Sequence, residues 1–129
     1  METQGSAGLI VRGEGFTLAL HEGDWLSLQI SGNADLQMLP RLGPFLKQVH
    51  REACRARVDF ITVDFSELYF MNSSCLKSLI TWVVTVSKLD PESRYRIRFL
   101  SNGNLRWQQR SLESMQAFAP GLVDIEFRP

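Results

Sequence analysis

The amino-acid sequence predicts an α/β layer fold in a single domain, a mixed β-sheet of about five to six strands with helices mainly on one face. Three observations carry that expectation. Apolar positions switch repeatedly between short β-branched runs and longer segments at helical spacing, giving an opening group of strands and then α, β, α, β, α, β. Val58 to Phe65 is a mostly apolar run with the character of a parallel strand buried on both faces. Tyr95, Ile97 and Phe99 alternate with Arg94, Arg96 and Arg98, so that strand has one apolar and one basic face and one side of the sheet is left uncovered. The alternation implies right-handed crossovers. The chain has 129 residues, close to the usual size of about 150 for one domain with one core. Residues 1–7 are expected to form a flexible polar tail and residues 8–129 the domain.

Taken in order, Phe16 to Leu20 and Trp25 to Ile30 are apolar or alternating runs, with Gly13-Glu14-Gly15 and Glu22-Gly23-Asp24 as turns between strands. From Ala34 onward Leu36, Leu39, Leu42, Leu46 and Val49 recur at helical spacing. Pro40, Gly43 and Pro44 predict a broken or kinked start, with a firm helix over Phe45 to Arg55. Between Asn72 and Leu89 the two signals conflict: Ile80 to Val86 is β-branched enough for a strand. Asn72 and the following serines are good caps, Leu76, Leu79, Ile80 and Val83 share a face, and the length suits a crossover. The segment is therefore predicted helical, with Trp82 packed on the sheet. Ser101 to Asn104 reads as a turn with capping asparagines, and Leu105, Leu112, Met115 and Phe118 as an amphipathic helix. Pro120-Gly121 stops it, and Val123 to Phe127 is a last strand.

Composition excludes several classes. With 44% hydrophobic and 22% charged residues the chain is neither disordered, collagen-like nor a coiled coil. Fourteen basic residues balance fourteen acidic ones, so no net field draws it to nucleic acid or an anionic membrane. Arg41, Lys47, Arg51, Arg55 and Arg57, with His50, form a basic stripe offset mainly by Glu52. It reads as a solvated helix face, with an acidic partner surface as the sharper alternative. Cys54 and Cys75 lack Cys-x-x-Cys spacing and are expected to be buried reduced thiols, not zinc ligands or a disulfide. Met1 to Ala7 carries no Lys or Arg, and the apolar runs behind it are broken by charge. No signal peptide or membrane insertion is expected, and the expected compartment is the cytoplasm.

In open α/β sheets, chemistry concentrates where a strand's carboxyl end passes to a helix, because free backbone amides converge there. Here that connection is Asp64 to Leu76, with Asn72, Ser73 and Ser74 at the start of the crossover helix. Capping alone would account for these three. Tyr69, Phe70 and Met71 just before them form an apolar contact patch, or in part belong to the core.

Val63-Asp64-Phe65-Ser66, followed by Phe70-Met71-Asn72-Ser73-Ser74-Cys75-Leu76 opening a helix, resembles the STAS domain of bacterial anti-sigma-factor antagonists. By element order the likeness runs from Trp25 to Phe127. The resemblance implies a small cytoplasmic regulatory protein without enzyme activity. Its partner would be of serine-kinase or anti-sigma type and would phosphorylate the first serine of the pair; a metal-dependent protein phosphatase would reverse the step. By position the phosphoacceptor is Ser73, with Asp64, Ser66, Met71, Asn72 and Ser74 as partner-binding residues. Two positions depart from the family pattern: Asn72 stands where an acidic residue is usual, and Cys75 where glycine is usual. The alternative is a STAS-like scaffold or small-ligand-binding domain in which Ser73 only caps.

Catalysis by Ser73 would need a base, and only His21 and His50 are available, without a Gly-x-Ser-x-Gly elbow. No metal-ligand spacing or phosphate-binding glycine loop is present, so neither a metal nor another cofactor is expected.

Overall fold

A computed structural model of the chain describes residues 8–128; the polar tail expected over residues 1–7 lies outside them. The elements are β1 (Ile10–Gly13), β2 (Phe16–Glu22), β3 (Leu26–Ala34), α1 (Leu39–Ala56), β4 (Phe60–Asp64), β5 (Leu68–Met71), α2 (Ser73–Ser87), β6 (Arg96–Asn102), α3 (Arg106–Phe118) and β7 (Val123–Arg128), with a short 3₁₀ turn at Pro91–Ser93. The sheet order is β1-β2-β3-β4-β6-β7, and β5 pairs with β3 beside this path. The β1, β2 and β3 pairings are antiparallel, as short turns allow, while β3, β4, β6 and β7 are parallel and need helical crossovers. The helices lie side by side on one face over a continuous core that includes Leu28, Ile30, Val49, Ile61, Val63, Val83, Ile97, Phe99 and Leu112.

The predicted α/β layer holds, with four differences. The sheet has seven strands, because Leu68–Met71, expected to be loop, pairs with β3 as β5. β4 is not covered on both faces: Ile61 and Val63 are buried, whereas Phe60, Thr62 and Asp64 are half-buried on the side without helices. There Arg98 lies over the Phe60 ring and Trp25 stacks on it, so aromatic and basic side chains replace a second helical layer. The first helix runs unbroken from Leu39 to Ala56. Pro40 occupies the first turn, where its missing N–H costs nothing, and Gly43 has no Cβ to clash with the Pro44 ring. The buried stripe Leu42, Phe45, Leu46, Val49 and Ala53 outweighs the lost hydrogen bond, while Leu36, expected on that stripe, is exposed ahead of the helix. Finally, α3 begins after Leu105 with no side-chain cap: Asn102 accepts from the Asn104 amide within the turn instead.

The β-branched segment after Ser73 is helical as predicted, and Trp82 is buried. Thr81 and Thr85 donate their hydroxyls to the carbonyls of Lys77 and Thr81, which satisfies β-branched polar side chains on the exposed face of α2.

Candidate functional site

The parallel strands β3, β4 and β6 end on the same rim of the sheet, and the connection from β4 to α2 lies along that rim. At the end of β4 the Asp64 carboxylate accepts from the Ser66 amide at 2.8 Å, closing a tight turn. The turn is held from two further sides. The Asn102 side chain, at the end of β6, donates to the Ser66 carbonyl at 3.0 Å. Gln108, fully buried in α3, donates to the carbonyls of Phe65 and Leu68 and accepts from the Ser101 hydroxyl and the Asn102 amide.

β5 then carries the chain back alongside β3, with Trp107 donating its indole N–H to the Tyr69 carbonyl at 3.0 Å. Leu68 is buried and Met71 is half-buried against the core, so the apolar display falls to Tyr69 and Phe70, 58% and 49% exposed. The Asn72 amide donates to the Ala34 carbonyl at 2.8 Å, fixing the helix start against the end of β3. Asn72 is extended, and its side-chain oxygen accepts from the Cys75 amide at 2.8 Å, which makes it the N-cap of α2. Cys75 is buried, its thiol pointing to the Asp35 carbonyl at 3.7 Å; burial and then Asp35 push its pKa up to about 11, so it stays a thiol at neutral pH.

Ser73 and Ser74 occupy the first positions of α2 with exposed side chains, and among the described residues their hydroxyls have no hydrogen-bond partner. No acidic residue lies in the first turn of α2. Of the sequence-selected residues, Asn72, Ser73 and Ser74 share the helix start, Asp64 and Ser66 share the preceding turn, and Met71 joins the two while facing the core. Gln108, Asn102 and Trp107, which fix this connection, were not singled out from sequence. A buried glutamine flanked by Leu105 and Leu112 on the apolar side of α3 is the signal that could have found the first.

His21 is exposed on β2, and His50 hydrogen-bonds through Nδ1 to the Tyr95 hydroxyl at 2.6 Å. Cys54, expected to be buried, is exposed at the end of α1 with its sulfur 3.7 Å from His50 Nε2. It lies on the last turn of the helix, where the apolar stripe has moved to Ala53. Among the described residues no three His, Cys, Asp or Glu side chains are placed to hold a metal ion, and no helix is long and apolar enough to cross a membrane.

No family model matches the chain, and no curated protein does. Solved structures do. An anti-sigma factor antagonist from Mycobacterium paratuberculosis aligns over 88% of each chain with a TM-score of 0.58 at 18% identity. The fold is STAS-like. A chain in the complex of the diguanylate cyclase SiaD with its activator SiaC, from Pseudomonas aeruginosa, aligns over 93% of this chain and 99% of its own (TM-score 0.67, 16% identity). A Shewanella loihica protein described as having a SpoIIAA-like fold aligns over 95% and 90% (TM-score 0.54, 14% identity). At such identities the likeness lies in the STAS-like arrangement of sheet and helices.

Proposed function

We propose that this chain is a non-enzymatic, cytoplasmic regulator whose binding to a serine-kinase or anti-sigma-type protein is gated by reversible phosphorylation of Ser73. The observation that carries the reading is the open hydroxyl of Ser73 on the first turn of α2, next to exposed Tyr69 and Phe70. The STAS-like fold, shared with an anti-sigma factor antagonist and with a chain from an activator complex, supports a regulatory role.

The chemistry follows from the position. The Ser73 oxygen would attack the γ-phosphoryl group of ATP held by the partner, releasing ADP, and a protein phosphatase would return the hydroxyl by hydrolysis. The phosphate brings about −1.5 to −2 charges and three acceptor oxygens to a helix amino terminus, where free amides and the dipole favour it. The free protein therefore tolerates the modification. A partner surface pressed on Tyr69, Phe70 and the serine would instead have to desolvate a doubly charged group, which costs several kcal/mol in rough terms and separates the complex. Asp64, Ser66, Met71, Asn72 and Ser74 complete the contact surface in this reading. Asn72 keeps the cap without adding a negative charge beside the phosphate.

Protein recovered from its native host is expected to carry an adduct of about 80 Da, one phosphoryl group, that maps to Ser73 and is removed by phosphatase. In parallel pull-downs, Ser73→Ala is expected to retain a kinase-type partner that Ser73→Asp loses. Equal recovery by wild type and both variants, with no adduct, would overturn the proposal.

A further inference from the structure

Away from Ser73, a cavity of about 400 Å³ opens between α1 and α2. Leu46 and Trp82 supply apolar surface, and the hydroxyl-bearing Ser78, Thr81 and Thr85 line its α2 side. Lys47 and Arg51, one turn apart on α1, line it from the other side. No Asp or Glu lines the cavity, and among the described residues no carboxylate pairs with Lys47 or Arg51. The nearest acidic residue in sequence, Glu52, is bound to Arg55 at 2.7 Å.

Behind the cavity is a closed hydrogen-bond chain. Trp82 Nε1–H donates to the Tyr95 hydroxyl at 3.0 Å. An indole N–H can only donate, so the Tyr95 oxygen accepts there and spends its own proton on His50 Nδ1, 2.6 Å away. The neutral imidazole then carries its proton on Nε2, whose partner among the described residues is the Cys54 sulfur at a weak 3.7 Å. His50, which also lines the cavity, thus presents a donor and no free acceptor. The hydroxyls of Ser78, Thr81 and Thr85 spend their protons on helix carbonyls, so the charged groups lining the groove are Lys47 and Arg51, both cations.

We infer that the groove between α1 and α2 is a binding site for a small organic anion with an apolar body, a medium-chain carboxylate being the class that fits. The volume lies within the range of about 300–1,000 Å³ usual for small-molecule sites. The apolar body enters between the helices toward the exposed edges of the largely buried Leu46 and Trp82, and the carboxylate meets Lys47 and Arg51. The charge arrangement favours the anion, since the exposed Lys47 and Arg51 attract a carboxylate and repel a cation. The inference stands on residues of the two helix flanks and does not depend on phosphorylation of Ser73.

The test is titration of the full chain with sodium decanoate below its micelle concentration, followed by ¹H–¹⁵N spectra that resolve the Trp82 indole N–H and the amides of Lys47, Arg51, Ser78 and Thr81. Saturable shifts confined to these groups are expected, with decan-1-ol at least tenfold weaker. Lys47→Glu combined with Arg51→Glu should weaken decanoate at least tenfold, and Thr81→Trp, which fills the groove from an exposed helix position, should abolish saturation. If the charge-reversed chain fails to fold, Thr81→Trp and the decanol comparison still decide. Shifts spread over the surface, equal binding of the alcohol, unchanged affinity in Thr81→Trp, or co-sedimentation with phosphatidylglycerol vesicles in place of free decanoate binding would overturn the assignment.

Discussion

Gln108 is fully buried, and its single amide makes four hydrogen bonds: it accepts from the Ser101 hydroxyl and the Asn102 amide and donates to the carbonyls of Phe65 and Leu68. Gln108→Leu keeps the volume but strands buried polar groups at the rim, so a loss on the order of 3 kcal/mol is expected in urea denaturation, together with loosening of the β4–β5 turn. Tyr95 plays the corresponding part at the other end of the helical layer. Tyr95→Phe deprives the buried Trp82 N–H of its acceptor, and about 1–3 kcal/mol should be lost, with the Trp82 indole resonance moving most. The same contact sets a pH response. Burial lowers the His50 pKa below its ordinary value of 6.5, because the imidazolium is poorly solvated there. The unfolded chain therefore binds the proton first as pH falls. Stability from His50 is complete above pH 6.5 and is lost as pH drops below it through the folded-state pKa. The facing groups are Tyr95, which burial keeps protonated, the Cys54 thiol, and the cations Lys47 and Arg51 beside the groove. Denaturation midpoints measured from pH 8 to pH 5 should fall for wild type, and His50→Gln should remove that part of the slope.

β3 changes register between Gly32 and Asn33, and this bulge lets one strand pair with β4 along its first half and with β5 beyond it. Gly32 has φ +88°, and a Cβ there would run into the Gly15 carbonyl and the Phe16 backbone. Gly32→Ala should therefore cost roughly 1–3 kcal/mol in thermal denaturation and speed amide exchange over residues 68–71, as β5 loses its template. The bulge also explains why β5 was not legible in the sequence. Leu68-Tyr69-Phe70-Met71 has no alternation, only Leu68 is fully buried, and the short pairing depends on a backbone feature of a distant strand. What was legible rested on local chemistry: the Asn72 cap and the shared face of Leu79 and Val83 gave α2, and the Arg96/Ile97/Arg98/Phe99 alternation gave β6 with its open side. β4 was misjudged for the same reason β5 was missed, since Phe60 is covered by Trp25 and Arg98 from other parts of the chain and not by a helix. At the site, the exposed Ser73 hydroxyl could be placed by motif and cap, whereas the tethers from Asn102, Trp107 and Gln108 span dozens of residues and leave no local trace.

The described residues form one core beneath a single helical layer, and Ser73 stands on the rim outside that core. A switch at such a place should act on the surface and leave the fold alone, which separates regulation from damage. The chain has formal net charge zero, so one phosphate would shift the whole molecule to about −2 without meeting a large field of either sign. Locally, Ser73 sits on the first turn of α2, which contains no acidic residue and is capped by an uncharged asparagine. A negative charge introduced there meets free amides and the positive end of the helix dipole. Ser73→Asp is accordingly expected to leave stability unchanged or raise it by about 0.3–1 kcal/mol, with the gain shrinking in high salt. Asn72→Ala should instead lose about 1 kcal/mol because the Cys75 amide gives up its acceptor. Urea denaturation of the two variants side by side checks the pair of expectations. A Ser73→Asp protein less stable than wild type would mean that the hydroxyl holds the helix start together, and loss of a partner by that variant would then report a weakened fold in place of a gated interface.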